Sequence, residues 1–182
     1  MANVLIVASP QIVSNETNIT ENVYKDDGTK DLVRGGLCVL SAGTIIPAET
    51  TPGSAQKIEN DAAPFDAAAR YFISLEDKTA DGGFVSVSEI TRDTILEGFV
   101  VDATGSSLTM TQAQIGTVCE GYIDAAGKWA INNATTKGVF EIVDVDSNYS
   151  PYRHPDAAGM DEDSGGTRHG RVKFRFIASK LR

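Results

Sequence analysis

The chain reads as a mainly β protein: an antiparallel β-sandwich or barrel with one short helix, an extended N-terminal arm and a loop region near its C-terminus. Two observations predict this. Between residues 84 and 146, short apolar runs recur at near-regular spacing. The breaks between them carry turn chemistry: Thr91-Arg92-Asp93, Asp102-Ala103-Thr104-Gly105, Ala125-Ala126-Gly127 and Thr136-Lys137-Gly138. Such spacing, with glycine in the turns, is the pattern of a β meander. The second observation is strict alternation over residues 171–177. Val172, Phe174 and Phe176 share one face, and Arg171, Lys173 and Arg175 the other, the period of a half-buried strand.

Taken in order, residues 1–32 differ from the rest. Val4-Leu5-Ile6-Val7 is a compact apolar run stopped by Pro10. A polar stretch rich in Asn and Thr follows, and Asp26-Asp27-Gly28 marks a turn. The segment reads as an arm laid over a neighbouring subunit or as a mobile terminus. The β-rich domain is expected over 33–182. Leu37-Cys38-Val39-Leu40 and Thr44-Ile45-Ile46 flank Ser41-Ala42-Gly43 as a hairpin closed by Pro47. Gly35-Gly36 lacks the helix and the Lys-Ser/Thr pair that a phosphate cradle needs. Pro64 opens a short helical turn, and Tyr71-Phe72-Ile73-Ser74-Leu75 is a strand. The central runs predict strands over 84–90, 95–101, 118–123, 128–132 and 139–145. Between the second and third of these, residues 108–116 form the best helix candidate, with Thr111 as N-cap and Gly116 as stop. Trp129, Phe99, Phe140 and Phe72 are expected in or near the core. Residues 147–170 are a long excursion rich in Pro, Gly and Asp, and read as a candidate binding loop or a flexible flap. No repeat of fixed period is visible.

The 182 residues suffice for one domain with a real core. Apolar residues make up 41% and charged residues 23%, which points to a folded, soluble chain. The net charge of −9 argues against nucleic acid as the main partner, because phosphate contacts need clustered Lys and Arg. The charge is unevenly spread. Residues 1–150 carry 9 basic and 21 acidic side chains, a balance of −12; residues 151–182 carry 7 and 4, a balance of +3. An acidic body with a basic end favours attraction between subunits. Cys38 and Cys119 are expected as buried reduced thiols. No basic residue precedes the run at Val4, and no apolar stretch reaches the ~20 residues of a membrane span. The glycosylation triplets at Asn15, Asn18, Asn133 and Asn148 are read as incidental.

The search for chemistry yields little. Asp144-Val145-Asp146-Ser147-Asn148 matches half of a calcium loop, but Tyr149 and Pro155 stand where its glycine and its bidentate glutamate belong. His154 and His169 bracket Asp156, Asp161, Glu162 and Asp163 with no metal-site spacing. No serine lies in a nucleophile elbow. No catalytic, cofactor or metal residue is therefore assigned. The candidate partner-binding residues are Val4, Leu5, Ile6 and Val7 in the arm, and Arg171, Lys173 and Arg175 on the last strand.

Several runs resemble those of tailed-bacteriophage head-decoration, or cement, proteins. They are Arg34-Gly35-Gly36 through Gly43-Thr44-Ile45-Ile46-Pro47; Ala68-Ala69-Arg70-Tyr71-Phe72-Ile73-Ser74-Leu75-Glu76-Asp77; Ser88-Glu89-Ile90-Thr91-Arg92-Asp93-Thr94-Ile95-Leu96-Glu97-Gly98 followed by Leu108-Thr109-Met110-Thr111-Gln112; and Gly127-Lys128-Trp129 with Gly138-Val139-Phe140. The resemblance covers most of residues 33–146. It implies a non-enzymatic β module, needing no cofactor, that binds the outer face of an assembled capsid. The implied partner is the major capsid protein, with the module itself a homo-oligomer, a dimer or trimer. The implied location is the virion surface, after assembly in the host cytoplasm. A tail, spike or carbohydrate-binding module of a phage is the alternative, and a hydrolase using His154 and His169 the third reading.

Overall fold

The computed structural model describes residues 9–14, 19–48, 56–58, 70–102, 107–108, 112–124, 126–145 and 171–177. It is mainly β. The strands are β1 (Gln11–Ser14), β2 (Ile19–Asp26), β3 (Leu37–Ser41), β4 (Thr44–Pro47), β5 (Gln56–Ile58), β6 (Tyr71–Ser74), β7 (Phe84–Ile90), β8 (Ile95–Val101), β9 (Ser107–Leu108), β10 (Val118–Ile123), β11 (Trp129–Asn132), β12 (Phe140–Val145) and β13 (Arg171–Phe176). In place of the expected helix stands one 3-10 turn, Gln112–Gln114, ended by Gly116 at φ 83°.

The strands close into two barrels rather than one. Barrel I has the order β2-β4-β3-β6-β7 and returns to β2. Barrel II runs β8-β11-β10-β12-β13, and β13 returns to β8. Neither is purely antiparallel, as the sequence had implied. Each has one parallel junction, β2 with β4 and β8 with β11.

The two barrels repeat each other, stave for stave: β2 corresponds to β8, β3 to β10, β4 to β11, β6 to β12 and β7 to β13. The correspondence extends to register. Cys38 faces Phe72 across β3 and β6, and Cys119 faces Phe140 across β10 and β12. Phe72 then faces Glu89, and Phe140 faces Phe176. Leu40 faces Ile45, and Gly121 faces Ile131. Tyr24 faces Val85, and Gly98 faces Val172. The parallel junctions close the comparison, with Asp26 opposite Ile45 and Val100 opposite Ile131. Once one pair of strands is matched, four registers align the remaining staves. The fifth is then an independent check, and it agrees, so both barrels share one stagger.

The interior residues follow from this. Inside barrel I, Leu32, Cys38, Ile45, Phe72, Val85 and Val87 pack with Tyr24 and Leu40. A larger cluster joins the barrels. It takes Leu37, Val39, Tyr71, Ile73 and Ile90 from barrel I, and Trp129, Phe140, Phe174 and Phe176 with their neighbours from barrel II. Of the expected core aromatics, Trp129, Phe140 and Phe72 are buried, whereas Phe99 is only half-buried. Tyr71 stacks on Phe176 at 4.8 Å between centroids. Trp129 Nε1 donates to the Gly35 carbonyl at 3.0 Å, and the Trp129 amide to Ser9 Oγ at 3.3 Å. The Gly35-Gly36 pair is thus a joint between the barrels: a Cβ at Gly36 would lie 2.7 Å from the Val33 carbonyl oxygen. β5 belongs in sequence between two staves of barrel I, yet it pairs with β10 of barrel II. It lies against Gly121, where a Cβ would meet Ile58 at 2.8 Å.

The arm expected over residues 1–32 needs correction. Residues 11–14 form β1 on β8, and residues 19–26 form β2, a stave of barrel I. The domain therefore begins well before residue 33.

Candidate functional site

Val4, Leu5, Ile6 and Val7 lie outside the described residues, as do His154, His169 and the whole excursion at 147–170. Of the basic residues on the last strand, the side chains of Lys173 and Arg175 are described, and Arg171 only by its place in the strand. Arg171 opposes Phe99, Lys173 opposes Asp144, and Arg175 opposes Glu141. Lys173 Nζ donates to Asp144 Oδ2 at 3.2 Å, and Arg175 Nε to Glu141 Oε2 at 2.9 Å. Cross-strand carboxylates thus neutralise much of the charge that the alternation exposes. These partners lie 29 and 34 residues earlier in the chain, which is why the run alone looked like a basic patch. Asp144 of the half calcium loop is committed to Lys173. Among the described residues, no three His, Cys, Asp or Glu side chains converge as metal ligands.

Each end of barrel I is closed by charge. At one end the Arg70 guanidinium forms a fork with Glu89, at 2.7 and 2.6 Å, and lies over the rings of Tyr24 and Phe72 at 5.6 and 5.5 Å. That bidentate hydrogen bond to Glu89 raises the Arg70 pKa. At the other end Asp26 is 2% exposed. Its Oδ1 accepts from the amides of Gly28 at 2.7 Å, Gly82 at 2.8 Å and Asp81 at 3.3 Å. Its Oδ2 makes no hydrogen bond and lies 3.6 Å from Lys78 Nζ. Lys78 also hydrogen-bonds Asp81, which holds the Asp81 carboxyl below its ordinary range, helped by the Gly83 amide. Asp26 and Lys78 therefore tie the loop after β2 to the loop before β7. Asp26→Ala is expected to lower stability by about 3 kcal/mol, because it strips those amides of their acceptor and Lys78 of a buried partner. Asp26→Asn keeps an acceptor oxygen and is expected to cost less. Urea denaturation measures both, and a loss in Asp26→Ala smaller than that in Asp26→Asn would contradict the assignment.

Cys38 and Cys119 are both buried, and neither forms a disulfide. Burial, helped by the Glu120 charge, pushes the Cys119 thiol up to about 11 from an ordinary value of 9.0. Between those values the folded thiol keeps a proton that the unfolded one loses. Stability is therefore expected to fall as pH rises through that window, and to be unaffected by this group below it. At pH 8 native protein should resist iodoacetamide at Cys119 and react once denatured; rapid labelling of the native form would contradict the burial.

The large apolar side chains most exposed among the described residues are Val23 at 61%, Phe84 at 55% and Ile115 at 43%. The first two lie on neighbouring strands of barrel I, Val23 on β2 and Phe84 on β7, where Lys25 pairs with Phe84 and its ammonium lies 5.3 Å over the Phe84 ring. Sequence reasoning missed this pair because Val23 sits in a segment read as an arm. Compared with protein-family models, curated proteins and solved structures, the chain matches none.

Proposed function

We propose that the chain is a virion structural protein: a capsid cement, or decoration, protein of a tailed bacteriophage. It binds the outer capsid surface as a homo-oligomer, a dimer or trimer, and bridges neighbouring major capsid subunits without catalysing a reaction. One observation carries this reading. Two barrels of the same stagger are locked into one body by a shared aromatic core, and a bridge needs two attachment areas fixed relative to each other. When the areas are held rigid, the second contact forms at high effective concentration, so weak contacts sum to firm attachment. The runs that resemble head-decoration proteins support the same reading.

The test is co-sedimentation with capsids assembled without this protein. Binding should saturate at a fixed ratio to the major capsid subunit and raise the temperature at which the shells open. Absence of binding, or binding without saturation, would overturn the proposal.

A further inference from the structure

The end of barrel I that Asp26 closes holds more than an ion pair needs. Asp26 is the last residue of β2, and its side chain is fully buried. Register sets it opposite Ile45, where barrel II sets Val100 opposite Ile131. Val100 is apolar and fully buried, so a barrel of this stagger closes at that point without a carboxylate. The two oxygens of Asp26 are treated unequally. Oδ1 accepts from the amides of Gly28, Gly82 and Asp81 at 2.7, 2.8 and 3.3 Å. Oδ2 is buried and accepts no hydrogen bond, although Lys78 Nζ lies 3.6 Å away. An ionised carboxylate with one bare, buried oxygen is poorly compensated.

The amine is held as firmly as the acid. The backbone of Lys78 donates to the Leu32 carbonyl at 2.9 Å and accepts from the Leu32 amide at 2.8 Å. Its side chain is 16% exposed, and its Nζ donates to the Asp81 carboxylate, which is 61% exposed. Gly83 leaves room for this approach, since a Cβ there would lie 2.7 Å from Asp81 Oδ1 and 3.2 Å from Lys78 Nζ. A fixed amine, a buried carboxyl, three donors on one of its oxygens and a second carboxylate on the amine thus converge.

We propose that Lys78 and Asp26 join in an isopeptide bond that the folded chain forms by itself. Lys78 Nζ passes one proton to Asp26 Oδ2, which leaves a neutral amine beside a neutral carboxyl. The amine then attacks Cγ, and the carbonyl electron pair moves onto Oδ1. The three amides stabilise that oxyanion, as an oxyanion hole does. Asp81 takes the second proton from the nitrogen as general base and returns it to Oδ2 as general acid. The Cγ–Oδ2 bond breaks, and Oδ2 departs as water. One ammonium and one carboxylate become one amide and one water, so no further reactant is needed. The product keeps its oxygen on the three amide donors and buries no charge. The hydrogen bond to Asp81 raises the Lys78 pKa, so the ion pair is the resting state and the reaction is slow, but one event per molecule suffices. The bond fastens the end of β2 to the loop before β7, and it stands whether or not the chain binds capsids.

The experiment is intact mass spectrometry of the full chain with peptide mapping, on protein purified folded and on protein purified in urea and followed as it refolds. The folded wild type should be lighter than its sequence requires by one water, with the loss in a cross-link between the peptides that hold Asp26 and Lys78. The urea-unfolded chain should acquire the link only on refolding. Lys78→Arg keeps a cation beside Asp26 but cannot form the bond, and should fold at full mass. Asp81→Ala alters an exposed side chain, and should fold and form the bond at least about tenfold more slowly. A folded wild type that stays at full mass overturns the proposal. So does a water loss that persists in Lys78→Arg, or that maps to Asp27-Gly28 or Asp81-Gly82, where an aspartate before glycine closes on its own backbone with the same loss of mass. An unchanged rate in Asp81→Ala overturns the part given to Asp81.

Discussion

Trp129→Ala is expected to destabilise the protein by about 3–5 kcal/mol and to lower the melting of both barrels together. The ring is fully buried, 5.5 Å from Phe140 and 5.9 Å from Phe174 between centroids. Its Nε1 reaches across to the Gly35 carbonyl of the other barrel. Truncation therefore leaves a cavity in barrel II and unties a joint to barrel I in one step. A domain of this kind has only about 5–15 kcal/mol of stability in total, so the effect should be plain in calorimetry. Trp129→Phe retains most of the ring and removes the hydrogen bond, at a cost nearer 1 kcal/mol. The shared cluster predicts a single transition for wild type and variants alike. Two separated transitions, with only the barrel II transition moved, would show that the barrels are stable independently and that the joint is energetically idle.

What the sequence revealed and what it concealed have a common cause. Strands whose inner face is apolar announce themselves: residues 84–90, 95–101 and 118–123 coincide with β7, β8 and β10. β2 breaks that rule. Its Asp26 is buried and its Val23 exposed, because a buried ion pair closes one barrel end and a bulge shifts the pairing midway. Its alternation therefore does not mark an inner and an outer face, and an eight-residue stave read as an arm. β5 is too short to signal at all, and its partner lies in the other barrel. The repeat escaped for a different reason. It is conserved in register but not in spacing, since the staves of barrel I are interrupted after β4 and those of barrel II after β12. Few side chains coincide across it: Cys38 with Cys119, Phe72 with Phe140, Ile45 with Ile131, Val85 with Val172. Outward residues differ, as with Lys25 and Phe99, so the duplication is one of architecture and the surfaces are separate. The candidate contacts suffered most. Charge on a strand face can be counted from sequence, but its cross-strand neutralisation, as for Lys173 and Arg175, depends on pairing.

Graded truncation from the N-terminus should separate the roles of the first two strands. Deleting residues 1–14 removes β1. It uncovers the start of β8, vacates the place of Pro10 on Gly98, and withdraws Ile12 from the shared cluster. Burying one such aliphatic side chain is worth roughly 1.5–3 kcal/mol, so this chain should remain folded with a lowered melting temperature. Its bared strand edge should make it more prone to associate. Deleting residues 1–22 goes further and cuts β2 in half. The antiparallel junction with β7 then loses its Ile19–Ser88 and Thr20–Val87 pairs, and only Tyr24 and Lys25 remain to hold it. A five-stranded barrel with a severed stave has two open edges and a breached core. Barrel I should therefore unfold, taking Phe72, Val85 and Val87 into solvent, and the shared cluster should loosen with it. Circular dichroism and amide-exchange protection of β6 and β7 read this out directly. If the 1–22 deletion stays fully protected across those strands, β2 is dispensable and the segment acts as an arm after all.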